Sequence, residues 1–118
     1  MQITVQSRSF KLTDALRNHV HTRLGFTFSR ASNRVQFIQV RLSDLNGPRG
    51  GIDKRCSIKV SMGGLADVVV DDVQTDMYLA IDRAAGRAAR TVMRRLALDN
   101  NKRDRHVRQQ LQRLSAEL

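Results

Sequence analysis

The chain has one cysteine, no tryptophan and one tyrosine in 118 residues. A lone Cys56 excludes an internal disulfide and fits a reducing compartment, the cytoplasm. It reads as a small core residue on a strand. Base stacking needs exposed rings, and Tyr78 with four phenylalanines supplies almost none, because Phe10, Phe26, Phe28 and Phe37 read as core. No apolar run approaches the roughly 18 residues of a membrane-spanning helix. The opening MQITVQSRSF lacks a basic segment followed by an apolar run, so no secretory signal and no membrane partner are expected. Acids are scarce. Eleven Asp and Glu stand against 21 Lys and Arg, 17 of them Arg, for a net charge of +10. Such an excess speaks to partners rather than to fold, and nucleic acid is the first candidate.

Catalytic groupings are also missing. His19 and His21 stand about 200° apart on a helix and do not share a metal. His106 stands alone in the C-terminal tail, and the Gly47-Pro48-Arg49-Gly50-Gly51 loop lacks the Gly-Lys-Ser/Thr ending of a phosphate-binding loop. No nucleophile–base pair is visible. The chain is therefore expected to be no enzyme, with no catalytic residue, metal, cofactor or small-molecule substrate.

The periodicities define the elements. Ile3 and Val5 alternate in a short strand over residues 2–8. Thr13 caps a helix whose Leu16, Val20 and Leu24 recur at i+4. That helix runs to about Phe28 or Arg30 and closes at Ser32-Asn33. A second strand over 34–44 changes parity near Phe37-Ile38, the mark of a bulge or of a strand covered on both faces at that point. After the loop at Asn46–Gly51, Cys56, Ile58, Val60 and Met62 alternate in a third strand. Gly63-Gly64 turns into a fourth strand from Ala66 to Asp71. Thr75 or Asp76 caps a second helix running to about Leu98, and Asp99-Asn100-Asn101 reads as a break. The order predicts an α+β, two-layer βαβββα domain over residues 1–98, with a four-stranded, mostly antiparallel sheet and two helices on one face. Residues 99–118 read as a basic tail, helical or disordered, with Val107, Leu111, Leu114 and Leu118 at helical spacing.

What is abundant is arginine on the second helix. Arg83, Arg87, Arg90 and Arg94 are spaced four, three and four, so they share one stripe. Tyr78, Ile81, Ala85, Ala88, Val92 and Leu96 fall opposite. From Arg83 to Leu98, with Arg95 included, there are five arginines and no acid. A solvated helix face normally mixes signs, whereas a row of planar, permanently charged forks suits phosphate oxygens. Arg23 and Arg17 flank the apolar stripe of the first helix, and Lys102 and Arg103 begin the basic tail. These nine residues are the candidate RNA-binding set.

The opening MQITVQSRSFKLTDALRNHVHTRL and the segment Asp76-Met77-Tyr78-Leu79-Ala80-Ile81-Asp82 resemble the ribosome hibernation-promoting factors and ribosome-associated translation inhibitors. The resemblance covers about residues 1–97 and leaves the tail outside. It implies a domain shaped like a double-stranded-RNA-binding domain, seated in the decoding channel of the small ribosomal subunit. There it blocks tRNA and mRNA and inhibits translation under stress, with the subunit and its rRNA as partners. Arg87, Arg90 and Arg94 match basic positions of that family's last helix, and Arg23 one of its first helix. Where the family often ends its first helix in lysines, this chain has Phe26, Thr27 and Phe28. Two other readings of the residues are a general double-stranded-RNA binder and a protein-interaction regulator of transcription.

Overall fold

The computed structural model describes residues 1–45 and 53–117. Alternating apolar residues build one four-stranded sheet in the order β1 (Gln2–Arg8), β2 (Val35–Asp44), β3 (Lys54–Met62) and β4 (Val68–Gln74). The first pair is parallel, because helix α1 (Asp14–Thr27) carries the chain back between β1 and β2. The two remaining pairs are antiparallel. The fold is the expected two-layer α+β arrangement. The core side of the sheet carries Ile38, Val40, Leu42, Cys56, Ile58, Val60, Val68 and Val70, all buried against the helices. Gln6, Gln39, Arg41 and Lys59 occupy the opposite, open face.

Each helix start follows from its capping residue. The Thr13 hydroxyl accepts the Leu16 N–H at 3.2 Å, and Asp14 sits in the positive first turn of α1. Leu16, Val20 and Leu24 then bury one stripe. A short 3-10 turn, Ser29–Ala31, follows with Phe28 inside the core. At the second helix the cap is Asp76, whose carboxylate accepts the Tyr78 N–H at 3.1 Å. This helix, α2 (Met77–Glu117), packs on β3, β4 and α1 through Ala80, Ile81, Ala84, Ala85, Ala88 and Val92, none of which is solvent-exposed. Alanine has no side chain beyond Cβ, so α2 approaches the sheet closely along this line.

Several boundaries differ from the sequence reading. The parity change in β2 is a register shift between Val35 and Phe37, which turns both Gln36 and Phe37 outward. Phe37 therefore stands on the open face, 47% exposed, rather than in the core. The turn before β4 takes five residues, 63–67, with Gly64 in the left-handed region at φ 79°. As a result β4 begins at Val68 instead of Ala66 and extends to Gln74, opposite Lys54. The connection predicted at Asn46–Gly51 lies outside the described residues, as does Leu118.

The largest correction concerns α2, which does not break after Leu98. It runs unbroken for 41 residues, about 61 Å at 1.5 Å per residue. Asparagine is a weak helix former but no stop, and no glycine or proline follows Gly86. Asp99 also accepts from Arg34 of the body at 2.9 Å and is ion-paired with Arg103 one turn on at 3.2 Å. Leu96 is the last buried residue and Asp99 still bonds to the body, so among the described residues the helix stands clear of the body beyond Asn100, and the molecule is 73 Å long but only 23 by 18 Å across.

Two outcomes test this architecture. Burial, with Asp72 and Asp71 adding smaller repulsions, pushes the Cys56 thiol up to about 12. A thiol reagent at pH 8 should leave the folded protein unlabelled and modify Cys56 only on unfolding, because both access and thiolate are missing. Arg105→Pro removes a helical N–H and clashes with the preceding turn, beyond the Arg34–Asp99 bond. It should lower the helical circular dichroism signal while leaving the urea midpoint of the body unchanged, since nothing past Leu96 is buried.

Candidate nucleic-acid interface

The arginine ridge faces outward, but its members are not equivalent. Arg83, Arg87, Arg90 and Arg94 are exposed. The Arg87 guanidinium donates to the Asp71 carbonyl at 2.9 Å and lies 3.4 Å from the Asp72 carboxylate, so it is tied to the edge strand β4. Arg95 is half-buried and donates to the carbonyls of Ala66 and Asp67, each at 3.0 Å. Arg83, Arg90 and Arg94 make no hydrogen bond or ion pair with the described residues. The ridge thus divides into two arginines that hold α2 against β4 and the turn before it, and three that are unpaired among the described residues.

The helices α1 and α2 leave a groove between them. Its middle section, about 380 Å³, is lined by Arg23, Asp82, Arg83, Gly86, Arg87 and Arg90. Further along, Phe26, Thr27, Arg30, Ala89, Arg90 and Met93 line a more voluminous section of about 660 Å³. Asp82 is the acid inside it. It receives a hydrogen bond from His19 at 2.7 Å and lies 3.5 Å from Arg23. His19 in turn meets the Tyr78 ring edge-on, with centroids 4.9 Å apart. Asp82 therefore joins α1 to α2 and orients Arg23 along the groove, which leaves Arg83 and Arg90 without a neutralising partner.

The remaining predicted residues scatter. Arg17 is exposed on α1, outside the residues lining the groove. Lys102 and Arg103 are exposed on the projecting part of α2, and Arg103 is paired with Asp99. Tyr78, expected on the buried side, is 39% exposed beside His19. Sequence reasoning missed Phe26 and Arg30. Phe26, expected in the core, is 76% exposed on the groove wall next to Arg30 and Arg90. The signal was available, because Phe26 stands two residues from buried Leu24 and hence about 200° around the helix. An exposed ring on the wall of a groove that arginines also line provides a stacking surface for a base or a ribose edge.

Residues 3–97 match the family model of the sigma 54 modulation protein / S30EA ribosomal protein. The chain belongs to that family. The matched stretch ends one residue past Leu96, the last buried residue of α2 among those described. The crystal structure of the Thermus thermophilus Protein Y N-terminal domain is similar at 31% identity and a TM-score of 0.65. That similarity covers 80% of this chain and 98% of the Thermus chain. A ribosomal subunit interface protein from Coxiella burnetii shares the fold at 16% identity and a TM-score of 0.69, over 82% of this chain and 99% of its own. No curated protein matches the chain. Among the described residues, no group of three or more His, Cys, Asp or Glu is placed to hold a metal, and no helix is long and apolar enough to cross a membrane.

Proposed function

We propose that this member of the S30EA family is a non-enzymatic, cytoplasmic ribosome-binding factor. It seats on the small ribosomal subunit, occupies the decoding channel and inhibits translation by excluding tRNA and mRNA. The observation that carries the proposal is the trio Arg83, Arg90 and Arg94, exposed and unpaired on a rigid helix beside the α1–α2 groove. A phosphodiester backbone entering this groove meets guanidinium groups carried on a rigid helix, each with a planar fork that matches phosphate oxygens. Arg23, steered by Asp82, adds a fourth donor from the other wall. Arg87 and Arg95 act mainly by fixing α2 to β4, and Arg17, Lys102 and Arg103 add to the positive field around the site. In this reading residues 1–98 form the ribosome-binding body and the remainder is an appended basic element.

Recognition is of shape and phosphate, with Phe26 as the one exposed ring on the groove wall. Occlusion needs no chemistry, only residence, so affinity and its salt dependence are the relevant quantities. Replacing Arg83, Arg90 and Arg94 together by Ala should leave the circular dichroism spectrum and urea midpoint intact, because none of the three bonds to the described residues. Co-sedimentation with small subunits across a salt series should then show weaker binding. The log–log salt slope should flatten by about 2 to 3, at roughly 0.7 to 0.9 for each phosphate no longer neutralised. An unchanged slope in the folded variant would remove the trio from the mechanism. Equal competition by arbitrary RNA duplexes would instead favour a general double-stranded-RNA binder. Binding to a transcription factor that survives nuclease and high salt would favour the regulator reading.

A further inference from the structure

The open face of the sheet carries a second concentration of arginine that the groove does not use. The strand register stacks two adjacent cross-strand rows there. One runs Arg8, Ser43, Arg55, Val73, and the next runs Gln6, Arg41, Ser57, Asp71. Side chains of these rows enclose a shallow, half-open cleft of about 390 Å³ lined by Gln6, Arg8, Arg41, Ser43, Arg55 and Ser57. Its volume lies in the range of about 300 to 1,000 Å³ usual for small-molecule sites. Three guanidinium groups on neighbouring positions of a sheet repel one another. Asp71 is the carboxylate in the two rows. It is paired with Arg55 at 2.9 Å and also accepts from the Ser57 hydroxyl. Arg8 and Arg41 make no hydrogen bond or ion pair with the described residues.

The backbone holds this arrangement in place. Ser9, directly after Arg8, is a non-glycine residue in the left-handed region, at φ 75°. Such a conformation is costly and persists where surrounding structure enforces it, most often at functional positions. Here the Ser7 hydroxyl donates to the Phe10 carbonyl at 3.0 Å and closes the turn. The chain thus bends sharply away at Ser9 while Arg8 remains the last residue of β1, beside Ser43.

We propose that this cleft is a phosphate-binding site, separate from the helical groove, in which Arg8 and Arg41 clamp the oxygens of a phosphate group and Arg55, fixed by Asp71, supplies the third wall. Ser43 and Gln6 provide uncharged donors. Among the described residues no aromatic ring lines the cleft, so the phosphate is recognised and the attached base is not. The phosphate belongs either to an RNA backbone crossing the sheet face or to a small phosphorylated molecule. The proposal does not depend on the ribosome reading, because the two sites lie on opposite layers and are altered by different substitutions.

The test is titration of the full chain with inorganic pyrophosphate, followed by amide chemical shifts and by calorimetry. Shifts should centre on Arg8, Arg41, Ser43, Arg55 and Ser57. The double variant Arg8→Ala with Arg41→Ala should lose at least about tenfold in affinity while keeping its urea midpoint. The Arg83, Arg90 and Arg94 triple variant should bind pyrophosphate within about twofold of wild type, less than the loss of one charge-assisted hydrogen bond would cause. A short oligouridylate, titrated in parallel, separates the sources. A matching loss in the double variant assigns the cleft to RNA backbone, and unchanged RNA affinity assigns it to a small phosphorylated ligand. No pyrophosphate binding by the wild type, equal affinity in the double variant, or shifts centred on α2 would overturn the proposal.

Discussion

The contact between the alanine line of α2 and strands β3 and β4 is the constraint from which the rest follows. Ala80, Ala84, Ala85 and Ala88 are fully buried, and Ile81 and Val92 fill the spaces beside them. Once that stripe is committed to the sheet, helical geometry leaves Arg83, Arg90 and Arg94 no direction but outward. The short side chains also bring α2 near enough to β4 for Arg87 and Arg95 to reach backbone carbonyls of that strand and the turn before it. Removing area from water along this line supplies both the stability of the second layer and the orientation of the interface.

The split of the ridge into free and tethered arginines shows how one periodic pattern serves two purposes. A guanidinium bonded to a backbone carbonyl has lost part of its donor set and some of its freedom, so it acts as a strut. An unpaired one keeps its full fork for an anion. On the α1 side Asp82 has the corresponding role. It draws His19 and Arg23 to one point and spares Arg83 and Arg90. The open face of the sheet repeats this logic, with Asp71 holding Arg55 while Arg8 and Arg41 remain free. In both layers the few acids fix selected arginines and leave others unpaired, and the remaining net charge of +10 favours a polyanion.

Local features were the most legible in the sequence. The Thr13 and Asp76 caps, the alternation of Cys56, Ile58, Val60 and Met62, and the parity change before Ile38 each depend on neighbours a few residues away. The two-layer fold and the outward ridge could therefore be read directly. What could not be read depends on distant contacts. The pairing of Arg87 and Arg95 with β4 and the turn before it joins positions 15 to 29 residues apart in sequence. The persistence of α2 past Asp99 draws on Arg34, 65 residues away. Phe26 and Phe37 illustrate a different failure. Hydrophobicity assigned them to the core, whereas helical angle and the bulge turned each outward. The cleft on the open face is invisible in the sequence because its residues come from three strands and are aligned only by register.

The central claim is that unpaired arginines on the outer face of α2 meet rRNA phosphate. Electron cryomicroscopy of the chain bound to small ribosomal subunits tests it most directly. The account predicts guanidinium nitrogens of Arg83, Arg90 and Arg94 about 2.7 to 2.9 Å from phosphate oxygens in the decoding channel. A bound state with these three side chains facing solvent or a ribosomal protein, and another surface against the RNA, would contradict it.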